Sequence, residues 1–176
     1  MRNRLYLSFK IIKGHKPRTS YFNIKDLSRE DYLSTLGFKV EKTWELKGKV
    51  VSGAQQASFF TQLEWVQNQC MEKLGFRPYP GTLNLKLEMA DENRESILEL
   101  SRENGIKLIP PDPKFCPAIL LPVFIGEKIK GAIVMPSEEV NIHEKRILEV
   151  MAPLKLRDIL GVKDGDVVAL NLGKYT

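Results

Sequence analysis

Thr82 and Asn84 are the residues whose types and spacing first suggest chemistry. They stand two positions apart in the stretch GFRPYPGTLNLKL, which runs from Gly75 to Leu87. A hydroxyl oxygen and an amide oxygen are hard ligands that Mg²⁺ accepts alongside waters and substrate phosphates. Residues two apart in a strand face the same side, so both oxygens could meet one ion. Two solvated strand residues would produce the same pattern, and the pair taken alone favours that simpler interpretation.

A second group of polar residues lies in the last third of the chain. It contains Asn141, His143, Glu149, Lys155 and Arg157. The Lys and Arg side chains could neutralise the phosphates of a metal-bound nucleotide. Each residue also has an ordinary interpretation, because His143 and Glu149 could face solvent on one helix and the two cations could form surface ion pairs. The functional interpretation depends on this group occurring together with the first pair.

The residues just before the first pair predict a stiff entry into a strand. Pro78 and Pro80 fix φ and lack an N–H donor, and Gly81 permits a tight bend. The following residues alternate, with Leu83, Leu85 and Leu87 on one face and Thr82, Asn84 and Lys86 on the other. We therefore expect a strand with a buried apolar face and an accessible polar face that carries the candidate ligands.

The rest of the chain predicts short strands separated by short helices. We expect strands over KGKVVSG and VVALNL, a hairpin of PAILLPVFIG and KIKGAIVMP, and a strand or loop over ASFFTQL. We expect a helix over QLEWVQNQCMEKL and a second, exposed helix over DENRESILELSREN. Helical turns are expected over HEKRILEV and APLKLRDIL. Gly75, Gly105 and Gly161 would end three of these helices, and IPPDP would form a rigid loop. Short strands without a regular βαβ alternation indicate a mainly β fold, a small barrel decorated with short helices.

Composition limits the class of protein. The chain has 176 residues, of which 43% are apolar and 28% charged, as expected for one soluble globular domain with an appendage. No apolar run approaches the ~20 residues of a membrane-spanning helix, so we expect a cytoplasmic protein. The P-loop and Rossmann glycine motifs and a recognisable Ser-His-Asp set are missing. The two separate cysteines, Cys70 and Cys116, indicate neither a zinc site nor a disulfide scaffold.

The net charge of +5 is concentrated in the N-terminal part. Residues 1–49 hold 12 Lys and Arg against 5 Asp and Glu, whereas residues 50–176 hold 15 against 17. We interpret residues 1–45 as a basic extension packed on a main domain of residues 46–176. Such a segment could touch nucleic acid or steer a phosphate-bearing ligand, but a solvated basic face explains the same charges more simply.

From about Gly48 to Leu172 the sequence resembles the archaeal-type CTP-dependent riboflavin kinase family. The matching pieces, in chain order, are GKVVSG, FF, LGF, PYPGTLNLKL, IKGAIVMP and HEKRILEVMAPLKLRDILGVKDGD. PYPGTLNLKL and the EVMAPLKLR stretch are specific motifs rather than compositional similarities. The resemblance implies a compact six-stranded barrel of the cradle-loop type that transfers the γ-phosphoryl group of CTP to the 5′-hydroxyl of riboflavin, giving FMN.

The resemblance also implies roles for individual residues. Thr82 and Asn84 would bind Mg²⁺, and Asn141 and Glu149 would contact the flavin. The nucleotide would contact two segments, namely Gly53, Ala54, Gln55, Gln56, Ala57 and Ser58, and then Leu154, Lys155, Leu156 and Arg157. An apolar slot for the flavin ring could use Phe59, Phe60, Tyr79 or Phe115, although core packing is the simpler interpretation of most of these rings.

The sequence departs from the family at two places. After the SG dipeptide the family has a glycine-rich loop that ends in a basic residue, whereas Gly53 is followed here by AQQAS; Asn141 replaces a threonine that contacts the flavin. Glycines let a backbone approach phosphates, so the altered loop leaves the nucleotide preference open. It also leaves open a second hypothesis, a non-catalytic module that binds a flavin or a nucleotide. Nucleic-acid binding through the basic N-terminal part is a third, more distant one.

Overall fold

Seven antiparallel strands and four short helices make up the described part of the chain. The computed structural model describes residues 40–53, 56–87, 91–126, 129–136 and 147–175. The strands are β1 (Val40–Val51), β2 (Leu83–Leu87), β3 (Ile106–Leu108), β4 (Ala118–Ile125), β5 (Ile129–Pro136), β6 (Ile147–Met151) and β7 (Val167–Tyr175). The helices are α1 (Gln56–Gln62), α2 (Glu64–Leu74), α3 (Asp91–Asn104) and α4 (Leu156–Leu160).

Six of the strands close into a barrel. The order is β4-β5-β6-β2-β1-β7, and β7 pairs back with β4 through Phe124 with Asn171 and Ile125 with Leu170. Strand β3 adds to the outer side of β4. This arrangement confirms the predicted mainly β fold, a six-stranded barrel with short helices.

The barrel interior is filled by alternate residues of each strand. On β2 the predicted apolar face is confirmed, because Leu83, Leu85 and Leu87 are at most 3% exposed. Two residues of α3, Ile97 and Leu100, join this core. The expectation of an exposed α3 is therefore wrong for the face that carries them.

Residues of the opposite strand face are covered by α2. Leu120, Ala132 and Met151 alternate with barrel-interior residues and pack with Val66, Cys70 and Leu74 of this helix. Helix α2 ends at Gly75, whose φ of 72° is left-handed, as the sequence predicts. Burial raises the pKa of the Cys70 thiol to about 12, so this cysteine is a neutral core residue. Cys116 is exposed, and neither cysteine takes part in a disulfide bond within the described residues.

Two segments differ from their predicted secondary structure. The stretch ASFFTQL is helical rather than a strand or loop, because residues at helical spacing, Phe60 and Leu63, pack against the core cluster that contains α2 while Thr61 is buried. The stretch ILEVM is strand β6 rather than a helical turn, because Leu148 and Val150 alternate into the core while β2 and β5 pair with its two edges.

The first barrel strand lies at the start of the described residues. Strand β1 begins at Val40, and its first half pairs with the end of β7. Residues 1–39, which make up most of the predicted N-terminal extension, lie outside the described residues. Among the described helices, none has the length and apolar character that crossing a membrane would require.

Candidate functional site

Strands β2 and β6 bring two groups of predicted site residues together. In their antiparallel register Asn84 is the direct partner of Glu149, so the candidate metal ligands and a candidate flavin contact share one end of the strand pair. The Thr82 hydroxyl donates a long hydrogen bond to the Glu149 carboxylate, with 3.4 Å between the oxygens. Thr82 and Asn84 are half-buried and Glu149 is exposed, so side chains with a hydroxyl, an amide and a carboxylate oxygen share one accessible end of the strand pair.

The end of strand β1 lies directly against Asn84. Val51 is the register partner of Asn84, and Gly53 follows two residues later. A Cβ atom at Gly53 would overlap the amide nitrogen of Asn84 and approach its Cγ to 2.8 Å. A side chain at position 53 would therefore have to displace the Asn84 amide. The first residue of the predicted nucleotide loop touches a predicted metal ligand.

Helix α1 holds the stiff turn that precedes β2. The Thr61 hydroxyl accepts a hydrogen bond from the Gly81 N–H at 2.8 Å and donates one to the Ala57 carbonyl at 2.9 Å. The Gln67 amide donates to the Pro78 carbonyl at 2.9 Å. From the other side, the Tyr79 N–H donates to the Ala152 carbonyl at 2.8 Å. The turn is thus anchored at several points before the chain reaches Thr82.

An open pocket of about 130 Å³ lies beside this turn. Its lining joins the turn and strand β2 to the start of α4: Tyr79, Pro80, Gly81, Thr82, Leu83, Val150, Ala152, Leu154, Lys155, Leu156 and Arg157. Sites that enclose a whole small molecule usually have at least about 300 Å³. This pocket can therefore hold a part of a nucleotide or flavin rather than all of it.

Two cations flank the pocket, and each has an acidic partner. Lys155 lies 3.0 Å from Asp158, and the hydrogen bond to that carboxylate raises the pKa of Lys155. Arg157 lies 2.6 Å from Asp164 and also donates to the Val51 carbonyl at 3.0 Å. A hydrogen bond from Ser52, and then one from Arg157, lower the pKa of Asp164. The raised pKa favours the charged form of Lys155, which phosphate binding requires.

The predicted nucleotide segments are only partly brought to the pocket. All four residues of the second segment, from Leu154 to Arg157, line it. The side chains of Leu154 and Lys155 are exposed, whereas Leu156 is 5% exposed because it also packs in the barrel core. The described residues of the first segment do not line the pocket. Ala57 and Ser58 lie on helix α1, which begins at Gln56. Three predicted site residues, namely Ala54, Gln55 and Asn141, lie outside the described residues, as does His143.

The aromatic candidates for a flavin slot separate into two groups. Phe60 makes an edge-to-face contact with Trp65 at 5.8 Å between ring centroids, and Phe115 contacts the same indole at 6.1 Å. Phe59 is 67% exposed and does not line the pocket. Tyr79 does line it and is 41% exposed, so it is the candidate best placed to meet a ligand there.

The donor set is compatible with magnesium and unlike a zinc site. In the part of the chain that the structure describes, no cluster of three His, Cys, Asp or Glu side chains could hold a metal ion. Thr82 and Asn84 supply neutral oxygens, and Glu149 adds a carboxylate beside Thr82. A few oxygen ligands at an accessible position suit Mg²⁺, which keeps several waters and binds substrate phosphates.

Three residues near the site were not singled out from the sequence. Thr61 anchors the turn, and Ser52 and Asp164 form a hydrogen-bonded pair at 2.6 Å beside Arg157. Asp164 carried a local signal, since the KDGD stretch predicts a turn. The sequence offered no signal for its partner Ser52, which is 112 positions away.

Comparisons with known proteins identify the family of this chain. The family model of the CTP-dependent riboflavin kinase domain, described as domain of unknown function DUF120, matches residues 50–172. The riboflavin kinase of Pyrobaculum islandicum is 36% identical over 156 residues, which cover 85% of this chain and 66% of that protein. The riboflavin kinase of Archaeoglobus fulgidus is 40% identical over 138 residues, covering 77% and 57% respectively.

A third relative, also named riboflavin kinase, has a similar sequence identity to this chain. The riboflavin kinase of Ignicoccus hospitalis is 35% identical over 129 residues, which cover 73% of this chain and 71% of that protein. The chain thus spans 57% to 71% of the length of these three relatives. Since the family model covers most of the chain, including every described residue that lines the pocket, the chain belongs to the CTP-dependent riboflavin kinase domain family.

Proposed function

We propose that this protein is a riboflavin kinase that transfers the γ-phosphoryl group of CTP to the 5′-hydroxyl of riboflavin. The observation that carries the proposal is the meeting of Thr82, Asn84 and Glu149 on paired strands, next to a pocket flanked by Lys155 and Arg157. Relatives named riboflavin kinase, 35% to 40% identical to this chain, support the same reaction.

Phosphoryl transfer needs few reactive side chains. Its transition state is loose and its charge lies on phosphate oxygens, so catalysis depends on positioning and on charge neutralisation. A bound Mg²⁺ would supply part of that neutralisation, and Thr82 and Asn84 would hold it. Lys155 and Arg157 would bind phosphates that extend from the ion, and Arg157 is pre-oriented by its two contacts within the chain.

The flavin would enter from the side of Glu149. A carboxylate accepts hydrogen bonds, so Glu149 suits the hydroxyl-rich ribityl chain of riboflavin and would place its 5′-hydroxyl near the metal ligands. Asn141 would make the second flavin contact. Tyr79, the exposed ring of the pocket lining, is available to cover an aromatic ligand.

The direct test is the formation of FMN. Purified protein is incubated with riboflavin and Mg²⁺, with CTP, ATP, GTP and UTP in separate tubes, and the products are separated by chromatography. FMN with CTP alone is the expected result. FMN with another nucleotide would contradict the CTP preference and assign the replaced glycine loop to altered specificity.

Paired substitutions at Thr82 test the metal assignment. Thr82→Ser keeps the hydroxyl oxygen and should keep most of the turnover, whereas Thr82→Val keeps the shape, loses the oxygen and should abolish turnover. Asn84→Ala should also abolish it. Lys86→Ala, on the same face of β2, is the control with unchanged turnover. Riboflavin binding, measured by quenching of flavin fluorescence, should persist in all four variants, and a fully active Thr82→Val would refute the assignment.

The altered loop favours one alternative, a non-catalytic module that binds a flavin or a nucleotide. Two glycines and a basic residue of the family loop are missing after Gly53, and helix α1 starts by Gln56. Riboflavin binding without FMN formation from any of the four nucleotides would favour this module over the kinase.

A further inference from the structure

Asp164 joins two segments that are distant in the sequence, although it does not line the pocket. One carboxylate oxygen accepts a hydrogen bond from the Ser52 hydroxyl at 2.6 Å. The other lies 2.6 Å from a terminal nitrogen of the Arg157 guanidinium. The carboxylate is thus a bridge between the end of β1 and helix α4, and both of its oxygens are engaged.

The bridge continues into the candidate metal site. The second terminal nitrogen of Arg157 donates to the Val51 carbonyl at 3.0 Å, and Val51 is the register partner of Asn84. Ser52 is followed by Gly53, which packs against the Asn84 amide. A shift of the β1 end would therefore move both Arg157 and the residue that confines Asn84.

The turn around Asp164 is itself fixed to β1 by its backbone. The Gly165 N–H donates to the Val50 carbonyl, and the Val50 N–H donates to the Asp166 carbonyl, both at 2.8 Å. The turn therefore keeps its place without the Asp164 side chain. What the carboxylate adds is the orientation of Ser52 and of the guanidinium.

We infer that Asp164 is a positioning residue for nucleotide binding: it orients Arg157 towards the phosphates and holds the Ser52–Gly53 segment against Asn84. This inference rests on the proposed kinase function. A guanidinium has five N–H donors, and the two contacts described above leave donors for a phosphate while fixing the plane of the group. At metal sites, replacing a group that orients a ligand typically costs about 10- to 100-fold in affinity or activity. We expect the carboxylate that orients this phosphate-binding guanidinium to act in the same way.

Because the Arg157–Asp164 ion pair is partly exposed, a role in orienting Arg157 can be distinguished from a role in stabilising the fold. The side chains of Arg157 and Asp164 are 34% and 49% exposed, and ion pairs so accessible contribute little to stability. Loss of the carboxylate should therefore alter nucleotide binding much more than folding. A purely structural carboxylate would give the opposite result.

The test compares Asp164→Asn with Asp166→Asn. Both variants lose one negative charge from the same turn. Within the described residues, however, the Asp166 carboxylate accepts a hydrogen bond from the Lys163 N–H, and the ion pair of Arg157 is with Asp164. For Asp164→Asn we expect KM for CTP to rise on the order of tenfold. KM for riboflavin and the thermal midpoint should stay at the wild-type values. Asp166→Asn should resemble wild type in all three measurements.

Ser52 provides a second check. Ser52→Ala should raise KM for CTP less than Asp164→Asn does. In the double variant, Ser52→Ala should raise KM by a smaller factor than it does in the wild-type background, because Asp164→Asn has already weakened the Ser52–Asp164 hydrogen bond. Ser52→Thr, which keeps the hydroxyl, should rescue the defect of Ser52→Ala.

Direct nucleotide binding separates this inference from the proposed function. Isothermal calorimetry with CTP measures affinity whether or not FMN forms, so a wild-type protein that binds CTP without turnover would refute only the kinase. An Asp164→Asn variant with unchanged CTP affinity, or an equal loss in Asp166→Asn, would refute the positioning role while leaving the kinase intact. A wild-type protein that binds none of the four nucleotides would refute both.

Discussion

Gly53 shows how closely one residue can be tied to the candidate metal site. The amide of Asn84 occupies the space that a Cβ atom at position 53 would need. The obstructing atoms are at the far end of a side chain rather than in the backbone, so the fold could accept a methyl group by moving Asn84. The displaced group would then be a predicted Mg²⁺ ligand.

We therefore predict that Gly53→Ala impairs catalysis without unfolding the protein. Turnover should fall on the order of 100-fold, because a small misplacement of a positioned group costs that much. The thermal midpoint should change by no more than about 2 °C. FMN formation and a thermal unfolding curve measure the two effects, and a fully active variant would mean that Asn84 has no fixed role in the reaction.

At the scale of elements, helix α1 explains why the turn before β2 is so well defined. Thr61 is fully buried, and its hydroxyl is both the acceptor for the Gly81 N–H and a donor to its own helix. A hydroxyl can fill both roles at once. The helix thereby positions the residue that immediately precedes Thr82.

The matched variants Thr61→Val and Thr61→Ser test this anchor. Valine has nearly the same shape but leaves the Gly81 N–H without its acceptor, which should cost about 1–3 kcal/mol in the free energy of unfolding. It should also lower turnover, because the turn is released next to the candidate metal ligands. Serine keeps the hydroxyl and should retain most of both properties. Urea denaturation measures the free energy of unfolding of both variants. A Thr61→Val variant as stable as wild type would show that Thr61 does not anchor the turn.

For the whole molecule, barrel closure brings distant segments to one site. Strands β4 and β7 are joined by only two register pairs in the described residues, so this seam is the shortest contact between neighbouring barrel strands. The Asn171 side chain reinforces it by donating to the Gly126 carbonyl at 2.6 Å. Gly126 follows β4 and adopts a left-handed φ of 60°, which suits glycine.

Asn171→Ala should weaken this seam. Loss of the hydrogen bond should lower the free energy of unfolding by about 1 kcal/mol. The amides of Ile125 and Gly126 should exchange with solvent faster than in wild type, while those of the β1–β2 pair stay protected. Lys47→Ala, which removes only an exposed ion pair with Glu45, is the control with unchanged exchange. If the amides of Ile125 and Gly126 exchange in Asn171→Ala as slowly as in wild type, the pairing of β4 with β7 needs no support from the Asn171 side chain.

Several strands and helix ends could be predicted from the sequence, because neighbouring residues alone determine them. The alternation of Leu83, Leu85 and Leu87 predicted β2 and its buried face, and the structure confirms both. The glycines at 75 and 161 predicted two helix ends, which adopt left-handed φ values of 72° and 63°. The motif PYPGTLNLKL also indicated the family before any fold was known, and the family model confirms it.

Other features depended on contacts between distant segments, which local patterns do not contain. The stretch ILEVM is a strand because β2 and β5 supply hydrogen-bond partners on both edges, and ASFFTQL is a helix that anchors the turn at Gly81 through Thr61. Local patterns also contained no sign of the hydrogen bond between Ser52 and Asp164, because it spans 112 positions. Composition and motifs thus determined the class, the family and the candidate ligands, which are local properties. Only barrel closure decided which of those residues meet, because strand register sets the distances between residues that are far apart in the sequence.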